Sequence, residues 1–239
     1  MGSGRRWTLP VAGLLAIAAL SGCTRSMPIS YQPSLYRLPQ ADQLKGIGLG
    51  VAKLEDRRTL IERSNPESLS YVMRSGAWRF GLTYQNQEYV PVADLVQTLF
   101  VDEFARAGVE TKAVPKILTR ENPADMRAAG EQAGMAYVLG GSLLLFEIVN
   151  ATNGWVVTSR RGITLAISLV RVRDGSVVLD KIVSTSDQEE SAAGAPVRSF
   201  DRLMNSVFRR VVTQVVEEVS AKLALGASDV DTRVTALPR

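Results

Sequence analysis

The chain has 239 residues, 46% of them hydrophobic and 22% charged, which is enough apolar content for one domain with a real core. It has no histidine and a single cysteine, which removes Ser-His-Asp and Cys-His triads, most zinc sites and any disulfide within the chain. The formal net charge of +4 and the pI of about 9.4 do not point to nucleic acid, because charges of both signs are interspersed.

In chain order, the first element is a processing signal. Arg5 and Arg6 form a short positive region, and Leu9 to Leu20 is apolar apart from Pro10 and Gly13. A membrane span needs roughly 20 apolar residues, whereas the apolar region of a secretory signal has about 7–15. Leu20-Ser21-Gly22-Cys23 then resembles the lipobox of bacterial lipoproteins. The resemblance implies that the Cys23 sulfur takes a diacylglyceryl group, that residues 1–22 are removed, and that the new amine is acylated. Small Ser21 and Gly22 let the backbone enter a protease site, and the thiol is the nucleophile. A free thiol is a liability in an oxidising compartment, whereas a thioether is not. Each buried CH₂ of an acyl chain contributes roughly 0.8 kcal/mol, so three chains on Cys23 would hold the protein on a bilayer without a spanning segment. Loss of Arg5 and Arg6 lowers the net charge from +4 to +2. Thr24, where enterobacterial lipoproteins kept at the inner membrane carry Asp, implies the outer membrane with the domain facing the periplasm.

Residues 23–45 contain Pro28, Pro33 and Pro39 and read as the lipidated cysteine plus a semi-rigid tether. Tyr31 and Tyr36 in that stretch could instead pack on the domain or a neighbour. Residues 46–225 read as a single α/β domain and residues 226–239 as a flexible tail. The domain opens with an apolar strand, Ile47 to Leu54. Gly46, Gly48 and Gly50 lack the G-x-G-x-x-G spacing of a dinucleotide site. Residues 59–90 are irregular and rich in aromatics, with a hairpin turning at Gly76 between Tyr71-Val72-Met73 and Trp78-Arg79-Phe80. Pro91 to Ala107 is a helix with Val92, Leu95, Val96, Leu99, Phe100 and Phe104 at helical spacing. A strand, Val109 to Val114, precedes a second helix opened by Asn122-Pro123 and stopped by Gly134. Three strands follow: Tyr137 to Val149, Gly154 to Arg173, and Val177 to Ser184 after an Asp174-Gly175 turn. Ile163, Leu165, Ile167 and Leu169 share one face of the middle strand. The last helix, Ser199 to Leu223, carries a stripe of Phe200, Leu203, Val207, Val211, Val215, Val219 and Leu223, with Gly226 as cap. The order β-α-β-α-β-β-β-α predicts an α/β (α+β) fold, with helices packed on a mixed sheet. Arg57-Arg58, Arg160-Arg161 and Arg209-Arg210 read as solvated pairs, and Glu189-Glu190 as part of a polar loop.

Ala133-Gly134-Met135-Ala136-Tyr137-Val138-Leu139-Gly140-Gly141-Ser142-Leu143 is similar to the A-x-A-D-Y-V-L-x-G-S segment of a group of bacterial envelope lipoproteins. That group includes YajG-like lipoproteins, the curli secretion protein CsgG, the activator LpoB and the TolB N-terminal domain. Ile47 to Arg57, Val92 to Gly108 and Leu165 to Lys181 resemble its first strand, first helix and hairpin, so the likeness runs over residues 45–223. The usual Ala-Asp is replaced here by Met135-Ala136. The aromatic insert before the first helix places the chain nearest the YajG-like branch, which has no established enzymatic activity. The resemblance implies a non-enzymatic scaffold or accessory subunit of an envelope complex. Its rivals are a ring-forming, CsgG-like secretion part or transporter auxiliary lipoprotein, and an LpoB-like regulator of peptidoglycan synthesis. No pore is expected, because residues 154–162 and 184–191 are too polar for a lipid-facing band of strands.

No G-x-S-x-G, phosphate-binding loop or calcium-loop spacing occurs, so no catalytic residue and no metal site is assigned. The covalent diacylglycerol and N-acyl chain on Cys23 stand where a cofactor would. The expected partners are the membrane through that lipid and envelope proteins, with further copies of this chain as a candidate, but no nucleic acid. Tyr71, Trp78, Phe80 and Tyr84, with Trp155 beside Gly154, are the candidate contact residues, since Tyr and Trp are enriched at interaction hot spots.

Overall fold

A computed structural model describes residues 24–33, 38, 40–62, 64–75, 78–192 and 200–235, so the lipobox residues Leu20, Ser21, Gly22 and Cys23 lie outside the described residues. In order, the elements are β1 (Thr24–Pro28), β2 (Gly48–Lys53), β3 (Glu55–Asp56), β4 (Tyr71–Ser75), β5 (Trp78–Thr83), α1 (Val92–Arg106), β6 (Glu110–Ile117), α2 (Pro123–Ala133), β7 (Tyr137–Asn153), β8 (Val156–Arg171), β9 (Val177–Ala192) and α3 (Phe200–Thr235). All nine strands join one mixed sheet. The predicted order survives as β2-α1-β6-α2-β7-β8-β9-α3, with β1 and the β3–β5 insert added to it.

Strands β7, β8 and β9 are long and consecutive, and they pair antiparallel as the spine of the sheet. The other edge of β7 is shared by three short parallel strands, one after another. Leu49 of β2 pairs with Tyr137, Glu55 of β3 with Ser142, and Met73 of β4 with Ile148. Outside β2 lies β6; outside β4 lie β5 and then β1. Gly141 sits at φ +144, and a Cβ there would stand 2.0 Å from the Ala166 carbonyl oxygen, so the crowded β7–β8 ladder requires glycine.

Helices cover both faces. On one face Ile163, Leu165, Ile167 and Leu169 are all fully buried beneath α1 and α3, as their alternation predicted. Val207, Val211, Val215, Val219 and Leu223 of α3 point into that core, each contributing about 1.5–3 kcal/mol by leaving water. The side chains of Phe200 and Leu203 lie outside the described residues. On the other face Met126 and Ala129 of α2 pack on Val138, Val170 and Val172. Asn122 caps α2 by accepting from the Asp125 N–H, and Gly134 ends it in the left-handed conformation at φ +70, as read from the sequence.

Three readings of the elements are corrected. The stretch after Cys23 is not a free tether. Residues 24–28 form an edge strand parallel to β5, Met27 and Ile29 turn inward, and Tyr31 sets its ring edge-on to Phe208 at 5.6 Å. Leu38, Ala41 and Leu44 are buried beyond it. Prolines suggested a linker, but an edge strand tolerates proline, and the period-two order Met27, Ile29, Tyr31 decides the fold. The second correction concerns Gly226, which is no cap: α3 runs on to Thr235. A Cβ on Gly226 would lie 2.2 Å from the Tyr137 hydroxyl, so glycine serves close packing there. The third is that β7 and β9 run past their predicted ends to Asn153 and Ala192, placing Glu189 and Glu190 in a strand, not a loop.

The β8–β9 turn is built as its sequence predicts. Gly175 takes φ +72, and Asp174 Oδ1 accepts from the Ser176 hydroxyl (2.6 Å) and the Ser176 N–H (3.0 Å). The hydroxyl bond, then the N–H, with Arg171 and Arg173 nearby, holds the Asp174 carboxyl at about 2, below its ordinary 3.8. Because the folded value is the lower one, this group favours folding above its ordinary value and loses that contribution as pH falls through about 2. Ser176→Ala should therefore move the Asp174 midpoint towards 3.8 in a carboxyl NMR titration. An unmoved midpoint would refute the stated cause.

Candidate functional site

The aromatic insert is held by an ion pair that its sequence disguises. Arg58 is 4% exposed and donates to Asp56 Oδ1 (2.8 Å), Asp56 Oδ2 (2.7 Å), the Leu69 carbonyl (2.7 Å) and the Tyr71 carbonyl. A guanidinium can serve several acceptors at once, and here it ties β3 to the chain entering β4. Reading Arg57-Arg58 as solvated is thus wrong for Arg58. Its neighbour Arg57 is exposed and bonds Glu55 and Glu121 (3.0 Å).

This frame sorts the five candidate aromatics. Tyr71 is only 2% exposed, and its hydroxyl accepts from the Asn65 amide at 2.9 Å, so it is a core residue and not a contact. Phe80 and Tyr84 are half-buried against the main core, and the Tyr84–Gln87 backbone pair closes a tight turn through Gln85 and Asn86. Burial, with Asp102 nearby, pushes the Tyr84 phenol up. Trp78 is 40% exposed, and the Arg25 guanidinium lies 4.5 Å from its ring centre. Trp155, 84% exposed, stands in the β7–β8 turn.

Strand register brings these two tryptophans to the same end of the sheet. Trp78 opposes Ser75 at the end of β4, and Thr24 at the start of β1 opposes Arg79. Since Met73 is level with Ile148, Thr24 is level with Val149. Past that level β4 and β5 continue by one pair, Ser75 with Trp78, and among the described residues β7, β8 and β9 run on as a three-stranded arm of residues 149–153, 156–160 and 188–192. Val149 and Val156 are exposed on it. At its base Arg161 is fully buried 3.7 Å from Glu189, which corrects the solvated reading of Arg160-Arg161. Burial pulls the Arg161 guanidinium down, opposed by the Glu189 and Asp187 carboxylates.

The opposite end of the sheet carries an open cleft of about 860 Å³, which no sequence motif announced. Tyr137, Met135 and Val172 line it, with Lys45, Arg171 and Arg173. Each of these cations meets an acid: Lys45 with Asp42 at 2.9 Å, and Arg171 and Arg173 with Asp174 at 3.3 and 3.6 Å. The cleft thus presents little uncompensated charge, whereas the arm end presents two exposed indoles. No helix among the described residues is long and apolar enough to cross a membrane.

No family model and no curated protein matches the sequence. Several solved structures resemble the chain. The DUF330 protein of Xanthomonas campestris is 16% identical, with 88% of this chain and 98% of that one covered at a TM-score of 0.44. A minor lipoprotein of Acinetobacter baumannii is 11% identical over 73% and 92% of the two chains at 0.36. A PelC dodecamer of Paraburkholderia phytofirmans is 13% identical over 75% and 88% at 0.38. These are distant likenesses in chain path, and none of the three names passes to this chain.

Proposed function

We propose that this chain is a lipid-anchored envelope lipoprotein, fastened through Cys23 to the outer membrane and facing the periplasm. Its task is that of a non-enzymatic scaffold or accessory subunit of an envelope complex. One observation supports this beyond the lipobox itself: β1 begins at Thr24, the residue bonded to Cys23, and is stitched into the sheet from its first pair, Thr24 with Arg79. A lipid on Cys23 would therefore hold a folded domain at a set place and not a loosely tethered one. Scaffolding needs that kind of coupling, since a fixed attachment point presents the same face to every partner. The YajG-like lipoproteins are the branch that the sequence resembles.

Intact mass of the protein extracted from membranes tests the reading. The expected product lacks residues 1–22 and carries a diacylglyceryl group and an amide-linked acyl chain at Cys23. Cys23→Ser should leave the leader attached and the lipid absent. A wild-type chain with its leader intact, or with a bare thiol at position 23, refutes the anchor.

A further inference from the structure

An anchor at Cys23 fixes more than attachment. The strand that follows it, β1, runs into the sheet beside β5, so the acyl chains leave the domain at the end where Trp78 and the arm lie. The bilayer surface must then lie against that end. Three strand spacings, β1 to β5 to β4 to β7, separate the anchor from the arm, a distance of about 14 Å at the usual 4.7–4.9 Å per strand. Along the strands, residues 149–153 carry the Trp155 turn about 17 Å beyond the level of Thr24. That reach is well short of the roughly 30 Å hydrocarbon core, so the arm cannot span it. With the sheet leaning by about 45°, the anchor and the arm tip touch one plane, as the two estimated displacements are nearly equal.

The side chains at this end suit an interface of headgroups. Indole has an apolar body and one N–H donor, and tryptophan collects at the membrane–water boundary for that reason. Trp155 stands at the tip, flanked by exposed Val156, and Trp78 stands beside the strand that carries the anchor. On the anchor side Arg25 lies against Trp78, and Arg74 is exposed within 3.6 Å of Glu62. On the far side of the arm, Glu189 and Asp187 are matched by Arg161 (3.7 Å) and Arg210 (3.2 Å). Cationic chains near the anchor fit the anionic lipids of a bacterial leaflet, which attract basic residues at the surface. We infer that Trp155 at the arm tip and Trp78 beside β1 dock into the headgroup region of the same bilayer that holds the Cys23 lipid. This rests on the anchor reading above.

The sequence supplies its own reporter. Of the three tryptophans, Trp7 leaves with the leader, so the mature chain keeps Trp78 and Trp155 alone. The processed protein is reconstituted into vesicles of phosphatidylethanolamine and phosphatidylglycerol, with lipids brominated near the top of the acyl chain as quenchers. Trp78→Phe and Trp155→Phe variants leave one indole each. Docking predicts blue-shifted emission and strong quenching of both indoles by the brominated lipid. If the protein floats with the vesicles while Trp155 stays unquenched and open to aqueous iodide, the docking is overturned and the anchor stands. If no lipid mass is found on Cys23 and the protein does not float, both readings fall.

Discussion

Phe208→Ala is expected to destabilise the domain by about 3–5 kcal/mol, the usual loss when a buried phenylalanine is emptied to a methyl group. Phe208 is fully buried and takes two aromatic rings edge-on, Phe146 of β7 at 5.3 Å and Tyr31 at 5.6 Å. Each such pair adds about 0.5–1.5 kcal/mol beyond its area, so the loss should fall in the upper half of the range. The effect is also directional. Tyr31 belongs to the segment after β1, and burial, followed by the nearby Glu103 carboxylate, pushes its phenol well up from the ordinary 10.0. Emptying the Phe208 site should let that phenol ionise at lower pH, because water reaches it. Urea unfolding gives the stability change as a shifted midpoint at constant slope, and tyrosine NMR follows the phenol. A loss below about 1 kcal/mol would mean the cavity collapses and the ring cluster contributes little.

Asp56→Ala should cost about as much, 3–5 kcal/mol, by a different route. The Asp56–Arg58 pair is almost fully buried, with side chains 8% and 1% exposed. Deleting the carboxylate leaves a buried guanidinium with the Leu69 and Tyr71 carbonyls to face. Replacing both partners by apolar residues, Asp56→Ala with Arg58→Met, should recover part of the loss, because the buried charge goes with them. Recovery stays partial, since the buried Tyr71 carbonyl and the part-buried Leu69 carbonyl then lack their donor. Thermal melts of the single and double variants decide this. A double variant no better than Asp56→Ala would show that the carbonyl bonds, and not the charge pair, hold the insert.

Much of the fold could be read from periodicity. The α1 stripe from Val92 to Phe104, the Asn122 cap, the Gly134 stop and the Asp174-Gly175 turn all lie where the residues indicate, since each expresses local chemistry. What failed was long-range. Nothing local distinguishes Arg58 from Arg57; only the carbonyls of Leu69 and Tyr71, brought in by the insert, bury one and leave the other in water. The tether reading fails because the alternation of Met27, Ile29 and Tyr31 outweighs the prolines. Residues 149–153 and 188–192 are too polar to signal a core strand, and pairing within the arm makes them strands regardless. Of the aromatic candidates, only Trp78 and Trp155 are presented at the surface end described above, since sequence gives residue type but not burial.

Strand order also carries a chronology. β7, β8 and β9 are neighbours both in sequence and in the sheet, so their ladders close short loops and can form early. β1 is joined differently: among the described residues its one strand partner is β5, which follows the whole β2–β4 stretch. As an edge strand held on one side, it is placed to peel away before the strands of the spine. If Cys23 carries the lipid proposed above, its fixed position relative to the domain lasts only while the β1–β5 ladder stays closed.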